Sequence, residues 1–236
     1  MSGGPFIKAG FGGSTTGPNG ADVTLTLTGA QENDIVLVFG GHSNRATFVP
    51  GPSTAGYASV FNHVAASPFF DISWKRMSSS PDANVVCRGT GNAVDATAYC
   101  AYLIAGAITS GAPFDVTLTT QGPTTSTDPI CPAITTVTDH CLIICAAMST
   151  IQDASTTPPT GFNNYLVNFN ANDTGEDVTT AGGSVFQQSL GLITPGAWAA
   201  WGSGAWIGAT LAVKPATAGG LAISPIGLGS AVVRAA

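Results

Sequence analysis

Polar and apolar residues alternate with a period of two in Val23-Thr-Leu-Thr-Leu-Thr28, and short β-branched or apolar runs recur along the chain. They are Ile35-Val-Leu-Val-Phe39, residues 98–105, Val116-Thr-Leu-Thr119, residues 140–146, Tyr165-Leu-Val-Asn-Phe169 and residues 207–213. A period of two sends successive side chains to opposite faces and marks a half-buried strand. A continuous apolar run of this length marks a strand buried on both faces. Turn-forming pairs such as Gly51-Pro52, Pro158-Pro159 and Asn172-Asp173 separate the runs. No stretch combines a 3.6-residue period with helix caps. The expected fold is all-β, a jelly-roll-type β-sandwich.

A weak internal repeat supports this architecture. Asp34-Ile-Val-Leu-Val matches Asp139-His-Cys-Leu-Ile-Ile, and Pro52-Ser-Thr-Ala-Gly56-Tyr matches Pro158-Pro-Thr-Gly161-Phe. Asp34 and Asp139 stand 105 residues apart, as do Gly56 and Gly161. Downstream, Gly89-Thr-Gly91 and residues 98–105 match Gly202-Ser-Gly204 and residues 209–214 at a slightly different spacing. The sandwich is expected over residues 21–215, with repeat halves of about 21–110 and 131–215. Two such halves suit the two Greek keys of one jelly roll, or two tandem sandwiches joined by residues 121–132. The short joining segment, followed at once by a strand, favours a single domain.

Two segments flank this core. Residues 1–20 are Gly-rich with isolated apolar residues Phe6, Ile7 and Phe11. Residues 216–236 are Ala/Gly-rich and carry Leu221, Ile223, Ile226, Leu228, Val232 and Val233. Both read as extended arms. Phe6, Phe11, Leu221, Ile223, Ile226 and Leu228 are the candidate contacts to a partner surface.

Charge narrows the function. Of 236 residues only 7 are Lys or Arg and 13 Asp or Glu, giving 8% charged and a net charge of −6. A typical soluble domain is about 25% charged. Direct nucleic-acid binding needs clustered basic residues to displace counterions, and attachment to a membrane surface needs a basic patch; neither is expected here. Residues 1–20 hold one Lys and no apolar run of signal-peptide length, so a cleaved export signal is not expected. Cys87, Cys100, Cys131, Cys141 and Cys145 form no CxxC pair and read as small buried hydrophobes in a reducing compartment. Metal and cofactor are expected to be absent.

Reactive constellations are sparse. Gly41-His42-Ser43 lacks the second glycine of a nucleophile elbow. His42, His63 and His140 are the only histidines. Cys141 adjoins His140, but neighbouring strand residues point to opposite faces. Glu32 and Glu176 are the only glutamates, and most Asp occupy turn positions, so a paired-carboxylate site is not expected. The cluster at residues 170–177 offers oxygen ligands for calcium, with a solvated turn as the plainer reading. Trp198, Trp201 and Trp206 gather near one turn. Trp206 opens an apolar strand and is expected to pack inward; core or subunit-interface packing is the plainer reading of the cluster, with Trp198 and Trp201 the candidate sugar-stacking surface under the alternative.

Several of these segments together resemble a known set of proteins. They are Val23-Thr-Leu-Thr-Leu, Asn33-Asp34 with Ile35-Val-Leu-Val, the Gly56-Tyr turn, Ser73-Trp74-Lys75, and the closing Trp206 and Ala209-Thr-Leu-Ala-Val-Lys-Pro215. Their succession is similar to phage-encoded β-sandwich virion proteins of tailed phages: head decoration or cement proteins, head fibres and tail-fibre modules. The likeness spans about residues 21–215 and consists of spacing and residue type. It implies a structural virion protein without enzymatic activity, assembled in the host cytoplasm. Its implied partners are the major capsid protein and its own copies in a homotrimer. It carries over no site residues, because the family is defined by its fold pattern. The alternative is a fibre or tail-tip module that binds host glycan through Trp198, Trp201 or residues 170–177.

Overall fold

The structure is a computed structural model that describes residues 4–15, 21–43, 48–90, 95–152, 156–170 and 177–216. Among the described residues the chain is all-β. The first half runs β1 (Phe6–Thr15), β2 (Val23–Thr26), β3 (Ile35–His42), β4 (Ala58–His63), β5 (Phe69–Arg76), β6 (Asn84–Cys87) and β7 (Thr97–Ala105). The second runs β8 (Thr119–Ser126), β9 (Ile130–Cys131), β10 (Ile134–Thr136), β11 (Cys141–Ser149), β12 (Asn163–Asn170) and β13 (Val178–Gln187). It closes with β14 (Gly191–Ile193), β15 (Gly196–Ala197) and β16 (Gly204–Val213).

Each half builds one five-stranded antiparallel sheet. The first has the order β1-β7-β3-β5-β4, and the second, read from its β8 edge, β8-β16-β11-β13-β12. The two orders correspond strand for strand, which gives the sequence repeat a structural meaning. Leu37 and Phe39 face the space between the sheets, as do Leu142 and Ile144, their counterparts 105 residues later. The β-sandwich is therefore observed. Its halves meet sheet against sheet, and they do not exchange strands between the large sheets as the two halves of a jelly roll do.

The shared core between the sheets contains Ile35, Leu37, Phe39, Phe70, Ile72, Tyr102 and Ile104 from one half. Leu142, Ile144, Met148, Ile207, Leu211 and Val213 come from the other. Full burial of side chains of this size stabilises by about 1.5–3 kcal/mol each, before the entropy of ordering them is counted. The outer face of each sheet is covered as well. The β2–β6 pair packs Val23, Leu25 and Val85 onto Val36, Val38 and Tyr99. The β9–β15 and β10–β14 pairs do the same for Ile143, Cys145 and Ala147. This double cover explains why β3 and β11 read as unbroken apolar runs: every residue of each is buried.

Polar contacts join the sheets across the core. Thr180 Oγ1 donates to the Ala98 carbonyl at 3.2 Å, and Tyr102 Oη donates to the Asn164 carbonyl at 2.6 Å.

Two expectations change here. Residues 6–15 are an edge strand of the first sheet, paired with β7, and not an extended arm. Phe11 packs against the core under the β2–β6 pair and so serves the sandwich itself. Residues 116–118 form no strand; the strand in this region is β8, which runs along β16 and includes part of the segment expected to be a linker.

Candidate functional site

The histidines and cysteines assemble no reactive group among the described residues. His42 is fully buried, stacks on Phe69 with ring centroids 5.1 Å apart, and has Nε2 3.1 Å from the Phe48 carbonyl oxygen. His140 is exposed beside Asp139, with Nδ1 3.3 Å from its carboxylate. The five cysteines are free and buried, as expected. Burial pushes the Cys141 thiol up to about 12, aided by the charges of Asp115 and Asp139. Its Sγ donates to the Thr138 carbonyl at 3.3 Å. No group of three or more His, Cys, Asp or Glu suited to a metal occurs among the described residues. Most of the 170–177 cluster lies outside the described residues.

Trp198 and Trp201 do not form a sugar-stacking surface. They are 1% and 4% exposed, and their rings pack against each other edge to face at 5.9 Å inside the core beneath β9 and β15. Trp198 Nε1 donates to Cys131 Sγ at 3.3 Å. Trp206 packs inward as expected and donates its indole N–H to Ser126 Oγ at 2.9 Å. A turn-rich sequence places aromatic residues near a loop but does not say which side of it they take, and here the flap over the second sheet needed large side chains to fill it.

Sequence reasoning missed a buried polar centre at Asp71. Its carboxylate accepts hydrogen bonds from Ser59 Oγ at 2.7 Å, Asn62 Nδ2 at 3.1 Å and Ser73 Oγ at 2.5 Å. Burial holds the carboxyl above its usual value of 3.8 despite these bonds. Next to it Gly51, at φ +112°, leaves no room for a side chain: a Cβ would lie 2.6 Å from Asp71 Oδ2. The Gly51 N–H donates to Tyr99 Oη at 2.9 Å, and Tyr99 Oη donates to the Arg88 carbonyl at 3.0 Å. The centre ties the exposed strand β4, through Ser59 and Asn62, to the buried Asp71 and Ser73 of β5. The one sequence signal was an acid inside the apolar run Phe69-Phe70-Asp71-Ile72.

The surface that stands out is apolar. At the end of the sandwich where β1 and β11 begin, Phe6 is 55% exposed, Val137 67%, Phe186 41%, Leu190 62% and Leu192 69%. These are half of the exposed large apolar side chains among the described residues. Val137, Leu190 and Leu192 stand on the outward face of the β10–β14 flap, where Thr135 pairs with Leu192 and Thr136 with Gly191. Phe6 and Phe186 flank a cleft of about 540 Å³ whose floor includes Ile7 and Leu142 and whose polar end holds Asn163, Asn164 and Ser184. The two groups are linked through His140, whose ring lies 6.0 Å from that of Phe186 and whose N–H bonds the Gln188 carbonyl at 3.2 Å. Of the expected partner contacts, Phe6 lies here, while Leu221, Ile223, Ile226 and Leu228 lie outside the described residues.

Compared with protein-family models, curated proteins and solved structures, the chain matches none.

Proposed function

We propose that this chain is a structural virion component: a capsid decoration (cement) protein that stabilises a tailed-phage head by subunit packing. The observation that carries the reading is the cluster of exposed apolar side chains at one end of an otherwise well-covered sandwich. Surface apolar residues scattered singly are ordinary, but a concentration of them marks a contact surface. The rest of the molecule suits a passive load-bearing role, with cores on both faces of each large sheet.

In this reading the apolar end seats on the major capsid protein and on neighbouring copies in a homotrimer. Phe6 and the segment carrying Leu221, Ile223, Ile226 and Leu228 extend the footprint. Each buried Å² of apolar surface contributes about 25 cal/mol, offset by the cost of association. Repetition over a lattice makes modest single contacts effective. Neither a cofactor nor nucleic acid takes part. The test is co-sedimentation of the purified chain with empty capsids and, separately, with host cells. Saturable pelleting with capsids alone is expected; pelleting with cells alone would overturn the reading in favour of a receptor-binding module.

A further inference from the structure

We propose that the cleft between Phe6 and Phe186 receives the C-terminal segment of a second copy of this chain, with Leu221, Ile223, Ile226 and Leu228 as the apolar anchors. The proposal rests on the reading of this end as a subunit-contact surface and names what occupies it.

The cleft is suited to apolar side chains. Ile7 and Leu142 line it, Phe6 and Phe186 flank it, and its volume of about 540 Å³ falls in the range of about 300–1,000 Å³ typical of ligand clefts. The described chain also ends beside it. The Ala216 N–H donates to the Gly106 carbonyl at 2.8 Å. Gly106 backs onto the cleft wall so closely that a Cβ there would lie 2.9 Å from the Gly4 carbonyl oxygen. The residues that follow have the matching chemistry: residues 217–236 contain the four anchors, Val232 and Val233, and one charged residue, Arg234.

Two features favour a second copy over the segment's own chain. The segment's origin and the cleft share one end of the molecule, so copies that meet at this end bring each origin beside a neighbour's cleft. Twenty extended residues span on the order of 60 Å, ample for that crossing. In addition, Val137, Leu190 and Leu192 stay exposed on the outward face of the same end, where a segment lying in the cleft leaves them uncovered. A neighbouring copy seated beside the cleft shares this end with the capsid surface that covers Leu190 and Leu192. Mutual exchange between two copies is an isologous contact, and passage from each copy to the next is a head-to-tail contact, which closes into a ring when the rotation permits.

The test uses the full-length chain with Phe186 replaced by p-benzoylphenylalanine, co-expressed with an N-terminally tagged copy that lacks the photoprobe. Irradiation followed by peptide mass spectrometry is expected to join the probe to residues 217–236 of the tagged copy. Leu221→Asp with Ile223→Asp in the tagged copy is expected to reduce that adduct at least fivefold while the thermal midpoint stays unchanged. Adducts confined to the probe's own chain, adducts to other segments, or no adduct would each overturn the proposal. Capsid co-sedimentation separates the two ideas. Loss of the adduct with capsid binding intact removes the segment exchange alone, and the adduct without capsid binding removes the decoration reading alone.

Discussion

Gly182 on β13 lies so close to Phe39 on β3 that a Cβ there would sit 2.5 Å from Phe39 Cζ and 2.8 Å from Tyr102 Oη. The two half-molecules approach closely here, against the Phe39 and Tyr102 rings, which lie 5.4 Å from each other on the first sheet. Gly182 is needed for space, since the opposing sheet fills the place of its side chain.

Gly182→Ala therefore overpacks the shared core and is expected to lower the unfolding free energy by about 1–3 kcal/mol. Gly202→Ala is the control: the added methyl meets only the end of a flexible side chain, Ile151 Cδ1, at 3.1 Å. Urea unfolding of both variants checks this. Equal midpoints for Gly182→Ala and the parent would show that the sheets yield at this contact.

Asp71 sets a pH dependence of unusual sign. Burial raises its carboxyl above 3.8 in the folded chain, so the folded state holds the proton more tightly than the unfolded state. The group's stabilising contribution is then greatest at low pH and is lost as pH rises from 3.8 through the folded value. Relative to Asp71→Asn, the parent should lose stability over that rise. Urea midpoints of both proteins from about pH 3.5 to about pH 7 report it. A parent that gains stability relative to the variant would reverse the assignment.

The thiols should be silent in the native protein. With the Cys141 thiol pushed up to about 12, its thiolate fraction at a pH of about 8 is on the order of one in ten thousand. Burial also raises the thiols of Cys87, Cys100 and Cys145. A disulfide reagent such as DTNB is expected to leave all five cysteines unmodified until denaturant is added. Rapid labelling of any one under native conditions would show that its cover opens.

The fold was legible where one strand carried its own signal. Val23-Thr-Leu-Thr announced β2 by alternation, and the match of Asp34 with Asp139 announced the equivalence of β3 and β11. It was illegible where a strand depends on its neighbour. β1 reads as a Gly-rich arm because Gly10 and Gly12 lack side chains, yet each makes room for a residue of β12, Leu166 and Asn168. β13 hides behind Gly182-Gly183 for the same reason, and the Gly122-Pro123 pair disguises β8. The candidate site was only partly legible. Phe6 was named, but Val137, Leu190 and Leu192 were not, because the pairing of β10 with β14 that turns them outward joins segments far apart in the chain.

The central claim is that the end bearing Leu190 and Leu192 seats on a capsid. It is tested most directly by measuring binding of the parent chain and of a Leu190→Glu, Leu192→Glu variant to empty capsids by co-sedimentation. The account predicts saturable binding of the parent and a loss of affinity of about tenfold or more in the variant, which places two charges on a surface that must be desolvated. Equal binding of the two proteins, or none by the parent, would contradict it.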